Sequence, residues 1–468
     1  MGALRFALRD LTDLALRLER FPMKVPLKIF MAAVRSTMLC VVAITMCAGQ
    51  YAAAQAVDPG IRGGPPGAGQ AFTTGLTTGQ SAFFTDPGFS QFTQVEAVAD
   101  GLGPRFNLDS CAGCHISPAV GGSSPPTHNP QVVNQPTMAP GNTVPPFLTA
   151  SGPIREVRFI RNSNGTPDGG VHSIFTISGR SDKPPGCAIS QPDFSNTANM
   201  IFRIPTPVFG AGLIESITDT TIKTNLVSGP FAGMKSFFGI TGHVNTNGND
   251  GTVTRFGWKA QNKSLLIFAG EAYNVEMGIT NENFPTEREE DANCATNPLA
   301  ENHTDFDNGN APADIVAFMG FMRFLDQPTP ACTVNGNCSA SINRGSALFS
   351  TIGCAACHTP SLTTGRSPVA ALNQKQANLF SDLAVHHMGS GLADNVSQGN
   401  AGPDEFRSAP LWGLGQRAFF LHDGRTSDLV QAILAHNSPG SEASKVIAFF
   451  QMLHTIDMQD LLNFLRSL

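Results

Sequence analysis

Cys111-Ala112-Gly113-Cys114-His115 and Cys354-Ala355-Ala356-Cys357-His358 are the two stretches that decide how this chain folds. Each is Cys-x-x-Cys-His, the pattern of c-type haem attachment. Two thiols at this spacing add across the two vinyl groups of one haem, and the adjoining imidazole reaches the iron as an axial ligand. A thioredoxin-like dithiol has no use for the trailing His in both copies. A single zinc site would have to draw its four ligands from both motifs at once. The motifs therefore predict two covalently bound c-type haems, held by Cys111, Cys114, Cys354 and Cys357, with His115 and His358 on iron. The composition suits a core built partly around porphyrin. Of 468 residues only 14% are charged, against ~25% in ordinary soluble domains, while 47 are Gly and 33 Pro. With 41% apolar residues and a net charge of −6, the chain is neither a coiled coil, nor a highly charged disordered segment, nor a basic nucleic-acid binder.

Residues 1–56 read as a signal peptide. Basic residues from Arg5 to Arg35 precede the apolar run Thr37 to Gly49, and Ala52-Ala53-Ala54-Gln55-Ala56 offers a small-residue cleavage site before Val57. The apolar run falls short of the ~20 residues that span a bilayer, so stable membrane insertion is not expected. The reading is export to the periplasm with cleavage. The segment holds seven basic and three acidic residues, a net +4, so the remainder carries −10. That acidity points away from nucleic acid and suits a basic redox partner.

Beyond residue 56 four further cysteines remain, an even number in an oxidising compartment. Cys332 and Cys338 flank a five-residue turn and are a plausible pair; Cys187 with Cys294 follows by elimination, free buried thiols being the alternative. The two haem regions also echo each other. Phe202-Arg203-Ile204-Pro205-Thr206-Pro207-Val208-Phe209-Gly210-Ala211-Gly212 resembles Phe406-Arg407-Ser408-Ala409-Pro410-Leu411-Trp412-Gly413-Leu414-Gly415 with one gap, and each copy precedes an amphipathic helix. The helix near 263–277 repeats apolar residues at Leu265, Ala269 and Ala272 and ends on Glu276; that near 427–436 repeats them at Leu429 and Ile433 and ends on His436. Both end residues are expected to face the interior. Further helices are predicted over 314–325, 442–453 and 457–468. Residues 116–153 are a Pro- and Gly-rich wrapping loop, and weak alternation over 155–179 suggests a hairpin. The predicted fold is mainly α: two c-type cytochrome-like haem domains with long Pro/Gly-rich loops and a small inserted β-hairpin. The expected division is 1–56, an N-terminal haem domain over 57–325 and a C-terminal one over 326–468.

The run Phe380-Ser381-Asp382-Leu383-Ala384-Val385-His386-His387-Met388-Gly389, with Leu421-His422-Asp423-Gly424-Arg425, resembles bacterial di-haem cytochrome c peroxidases. The chain is more similar to their relatives, the di-haem oxidoreductase family also labelled thiol oxidoreductases. Phe256-Gly257-Trp258-Lys259-Ala260 and Ala269-Gly270-Glu271-Ala272-Tyr273-Asn274-Val275-Glu276-Met277-Gly278 fit the same family, in family order, over nearly all of Phe83–Leu468. The resemblance implies unequal haems, with peroxide cleaved at the N-terminal one and electrons stored at the C-terminal one. It implies a catalytic acid/base at Glu276, within Glu-Met-Gly; a helix-end carboxylate in a structural hydrogen bond is the alternative. Splitting an O–O bond needs a group that moves a proton to the departing oxygen, which gives the implied role its chemistry. Trp258 matches the tryptophan between the haems, with core packing as its alternative. Hopping routes are few: Trp258 and Trp412 are the only tryptophans, and Tyr273 is the sole tyrosine beyond the signal peptide.

Where the peroxidases place a Met as sixth ligand of the C-terminal haem, this sequence has His436, which implies bis-His ligation with His358; Met388 competes. His386, His387 and His422 are second-shell or core candidates. The N-terminal haem has no clear distal His, with His128 and His172 the nearby possibilities. Ser408 and Pro410 match part of the peroxidases' calcium site, whose Asn is not found. The expected function is peroxidase-like reduction of peroxide, or a related small oxidant, at the N-terminal haem. Electrons would come from a small soluble electron-donor redox protein through the C-terminal haem and Trp258. Two alternatives stand beside it: a di-haem electron-transfer cytochrome, and an oxidase acting on an organic or protein substrate. No reactive Cys pair beyond the haem motifs supports a thiol substrate.

Overall fold

Among the described residues ten α-helices have six or more residues, and five of them begin where a side chain accepts from a first-turn backbone N–H. In the computed structural model the ten are α1 (Thr78–Phe83), α2 (Ala211–Ser216), α3 (Asp219–Ser228), α4 (Ala232–Phe238), α5 (Leu265–Met277), α6 (Asp314–Phe324), α7 (Ala340–Thr351), α8 (Leu429–Leu434), α9 (Ser444–Gln451) and α10 (Thr455–Leu465). Ser264, Ser339 and Asp428 cap α5, α7 and α8 by accepting from Ile267, Ile342 and Gln431 N–H. Gly278, at φ +74°, ends α5 in the left-handed conformation that a C-terminal cap favours. The structure describes residues 55–468, apart from 107, 136–137, 162–163, 167–170, 173–178, 190, 288, 290, 307–310 and 333–337. The expected signal peptide thus lies almost wholly outside the described residues. Among those residues no helix is long and apolar enough to cross a membrane.

The expected helices are present with ends moved by a few residues. The expected hairpin is also present, but as part of a larger sheet: β1 (Glu156–Phe159) pairs antiparallel with β2 (Val171–His172) and with β3 (Met200–Arg203), in the order β2-β1-β3. The third strand is the start of the first echo segment. Val157, opposite Phe202 in the register, is buried with Met200 and Phe194, so β3 supplies cover that a two-stranded ribbon lacks. Two more two-stranded pairings, β4 (Leu362–Thr363) with β5 (Gln376–Ala377) and β6 (Val385–His387) with β7 (Glu405–Arg407), are too short to leave a period in the sequence. The protein is mostly helical with small antiparallel sheets.

Two large apolar cores flank the places where the Cys-x-x-Cys-His motifs lie. One gathers α5, α6, Leu102, Phe106 and Phe209, with Leu379, Leu383 and Trp412 from the C-terminal half. The other gathers α7, α8 and α10 with Leu414 and Phe420. The echo segments start alike: each has a strand (β3, β7), then a left-handed glycine, Gly210 at φ +65° and Gly413 at φ +72°, then a helical turn. They also meet. A Cβ on Gly210 would lie 2.6 Å from the Trp412 ring. Cys187 pairs with Cys294 and Cys332 with Cys338. Helices α7 and α10 cross at Gly345, where an added Cβ would sit 2.0 Å from the Asp460 carbonyl oxygen. Gly345→Ala should therefore force the two helices apart and cost about 1–3 kcal/mol, read as a lowered unfolding midpoint of the holoprotein.

Candidate functional site

Cavity walls on either side of the two cores bring the motif residues together. The first cavity, with about 470 Å³ of empty space, is lined by Cys111 and His115, by Phe92, Phe268 and Phe318, and by Tyr273 and Glu276 from one face of α5. The 3.6-residue period explains the last pair: positions 269, 272, 273 and 276 share a stripe, and all four line the cavity. Glu276 is half-buried and lines this space. Burial, then the charges of Glu156 and Glu271, push its carboxyl up to about 8, so it carries a proton at neutral pH. His115 Nδ1 lies 3.1 Å from the Gly122 carbonyl oxygen, which fixes Nδ1 as the donor and leaves the Nε2 lone pair for a metal. Burial lowers His115 to about 4, keeping the ring neutral as ligation requires.

The second cavity is larger, with about 1340 Å³ of empty space, and is lined by Cys354, Cys357, His358, His436, Met388 and Trp258 among others. His358 Nδ1 is 3.0 Å from the Phe380 carbonyl oxygen, and His436 Nδ1 is 2.8 Å from that of Ala432. Both imidazoles thus hold their Nε2 atoms free. Burial, then the neighbouring His436, lowers His358 to about 4. Met388 also reaches this cavity, packing with Trp258 and Phe406. His422 stacks on Phe406 at 4.2 Å and is a wall residue. His386 sits between two carboxylates, with Nε2 3.1 Å from Asp382 and Nδ1 2.9 Å from Glu442, and Lys235 completes the cluster at 2.6 Å from Asp382. His387 is half-exposed and faces Asp404. His128 is exposed and does not line the first cavity; the His172 side chain lies outside the described residues. Ser408 donates to Asp382 Oδ1 at 2.6 Å, and the Pro410 carbonyl accepts a long contact from Arg417. Both groups matched to a calcium site are thus engaged by the chain itself.

Two functional residues carry no motif of their own. Arg407 and Arg417 line the second cavity, and burial pushes each down to about 10. Arg407 Nη1 donates to the Arg255 carbonyl while its Nε has no partner, and neither guanidinium pairs with a carboxylate among the described residues. Two adjacent buried cations without an anion are costly, so the cavity is built for a negatively charged occupant. A haem, apolar in its ring and bearing two carboxylates, meets that demand, the paired thiols and the free imidazole faces. In the first cavity the fit rests on the thiols, His115 and the phenylalanine walls. The one sequence signal was Arg407 itself, a charged residue inside the Phe406–Leu414 echo; Arg417 lies beyond it.

Between the cavities runs the strap from Ile204 to Val208. Trp258 Nε1 donates to the Ile204 carbonyl at 3.1 Å, and the Ile204 N–H donates to His422. At the other end the Val208 N–H donates to the Gly121 carbonyl, the Gly121 N–H donates to that of His115, and Val208 lines the first cavity.

A family model described as "Di-haem oxidoreductase, putative peroxidase" matches residues 162–468. The chain belongs to the di-haem oxidoreductase family. Membership makes this di-haem oxidoreductase a two-haem protein, in accord with its two cavities. No curated protein matches its sequence. Among solved structures, Kuenenia stuttgartiensis hydrazine synthase pressurised with 20 bar xenon is 16% identical, covering 55% of this chain and 86% of that one, with a TM-score of 0.28. A MauG-like protein associated with microbial copper homeostasis is 17% identical, covering 57% and 91%, also at 0.28. Scores that low carry no inference from either protein to this oxidoreductase.

Proposed function

We propose that this is an exported, periplasmic di-haem c-type oxidoreductase that reduces peroxide, or a related small oxidant, in the first cavity. Electrons would arrive from a small soluble redox protein by way of the second. The observation that carries the reading is the asymmetry of the two sites. The first offers one imidazole and a buried, protonated carboxyl; the second offers two imidazoles with free Nε2 atoms. Bound through Cys111 and Cys114, and through Cys354 and Cys357, the haems would supply the iron that binds the oxidant and the store of electrons. The chain's residues do the rest. Glu276 gives its proton to the departing oxygen and recovers it from solvent. Phe92, Phe268 and Phe318 exclude water, which strengthens each electrostatic contact inside. His358 and His436 close the second site to oxidant, and Trp258 with the Ile204–Val208 strap carries electrons toward His115.

Absorption and EPR spectra of the purified protein, with and without hydrogen peroxide, test this. One high-spin haem that responds to peroxide beside one low-spin haem that does not is the expected result. Two inert low-spin haems would leave only electron transfer. Trp258→Phe should slow transfer between the haems after flash reduction while leaving both spectra unchanged; an unaltered rate would remove Trp258 from the route.

A further inference from the structure

Tyr273 stands on α5 one turn before Glu276 and lines the same cavity. The chain has only one other tyrosine, Tyr51. The Tyr273 ring meets Phe318 edge-on at 5.0 Å, and its hydroxyl oxygen lies 3.2 Å from both Glu96 Oε1 and Asp314 Oδ2. A phenol has a single proton, so it donates to one carboxyl, and the other can approach favourably only as a protonated donor. The surroundings decide which is which. Asp314 also accepts from Asn302 Nδ2 at 2.7 Å, whereas Glu96 is 3% exposed and has only a 3.4 Å contact from Gln94. Burial, then the charge of Asp314, pushes Glu96 up to about 7. Burial raises the Asp314 carboxyl as well, but its Asn302 donor favours the charged form there, so the ordering this geometry favours is Glu96–OH donating to the phenol oxygen and the phenol O–H donating to the Asp314 carboxylate.

We propose that Tyr273 is a proton-coupled electron donor to the oxidant in the first cavity, with Asp314 receiving the phenolic proton. This rests on the peroxide reading above. Reduction of hydrogen peroxide breaks the O–O bond, consumes two electrons and two protons and yields two waters. Tyr273 supplies one of those electrons, its O–H bond breaks, and the proton passes to Asp314 along the 3.2 Å O···O contact. The second electron would come from the iron of the bound haem, and the redox-protein donor later returns both, restoring the phenol as Asp314 gives the proton back. The resulting phenoxyl keeps the Glu96 hydrogen bond, which stabilises it in place. Burial, then Asp314 and Glu96, hold the phenol well above 10, so it does not ionise beforehand and the electron and proton leave together. Phe92, Phe268 and Phe318 have no proton to give, and neither tryptophan lines this cavity.

The test is to mix the haem-loaded full chain with hydrogen peroxide in the absence of donor, freeze-quench for EPR, and record the Soret band in parallel. The expected result is an organic radical with tyrosine hyperfine structure that narrows when ring-deuterated tyrosine is incorporated. Tyr273→Phe should abolish it while the Soret response persists, and Asp314→Asn, which keeps the phenol, should diminish it. A Soret response with no tyrosine signal in the parent, or a signal that survives Tyr273→Phe, overturns the proposal and spares the peroxide reading. An unresponsive Soret band overturns both.

Discussion

Glu276→Gln should lower kcat for peroxide reduction by about 10²–10⁴-fold, the usual worth of a positioned general acid, with little change in KM. The substitution keeps the shape of the cavity wall and one hydrogen-bond donor, but it removes the only proton that Glu276 can transfer. Haem content and the resting spectrum should match the parent, which separates lost chemistry from lost assembly. The parent's own pH profile gives an independent check. With its carboxyl raised to about 8, Glu276 holds its proton through neutrality, and activity should fall as pH rises through that value. The same shift costs stability. A group whose folded value lies above its unfolded one stabilises the fold below the unfolded value of about 4.5 and loses that contribution as pH rises through about 8. Above pH 8 the parent must bury a charged carboxylate that the variant lacks. Glu276→Gln should then melt at a higher temperature than the parent while remaining nearly inactive, the pattern of a residue kept for chemistry at the expense of the fold. A variant that retains more than about a tenth of kcat would return Glu276 to a structural role.

How much of this could be read along the chain depends on how far apart the partners lie. Glu276 and His436 were legible because each ends a local apolar stripe, and a stripe needs only four or five neighbouring residues to show itself. The haem motifs are local for the same reason. The partners of Tyr273 were not legible: Glu96 lies 177 residues away and Asp314 41, and neither has a pattern around it that names the other. The cluster of Lys235, Asp382, His386 and Glu442 joins α4, β6 and two loop residues across more than 200 positions, so its histidine could be seen in the sequence but its role could not. Gly210 against Trp412 is similar. The echo identified the two segments as related, but only packing shows that they touch. The third strand of the sheet went unread because four residues, Met200–Arg203, are buried at three positions and show no alternation.

His436→Met should raise the potential of the C-terminal haem, by some part of the ~0.8 V range that axial ligands command. A thioether donates less to ferric iron than an imidazole does, and so favours the reduced state. The carbonyls of Phe380 and Ala432 add to the difference, since each draws on the N–H of its imidazole and makes Nε2 a better donor. Replacing one such ligand removes both its nitrogen and its carbonyl support. The helix pays little, because α8 ends at Leu434 and Met is unbranched and flexible enough to fill the same wall. A redox titration followed at the low-spin Soret band measures the shift, and EPR of the oxidised protein reports the change of ligand field. Met388→Leu is the counterpart: it should leave the potential nearly where it was, because Met388 packs on the Trp258 and Phe406 side of the cavity, whereas His436, its Nδ1 held by the Ala432 carbonyl, offers a free Nε2 to the cavity that His358 lines. If Met388→Leu moves the potential and His436→Met does not, the thioether is the ligand and the parent is already a His/Met site. Inter-haem transfer then distinguishes the cases a second time. Raising the potential of the electron store weakens the drive toward the first cavity, so His436→Met should slow transfer to His115's side even though every residue along the Trp258 strap is unchanged.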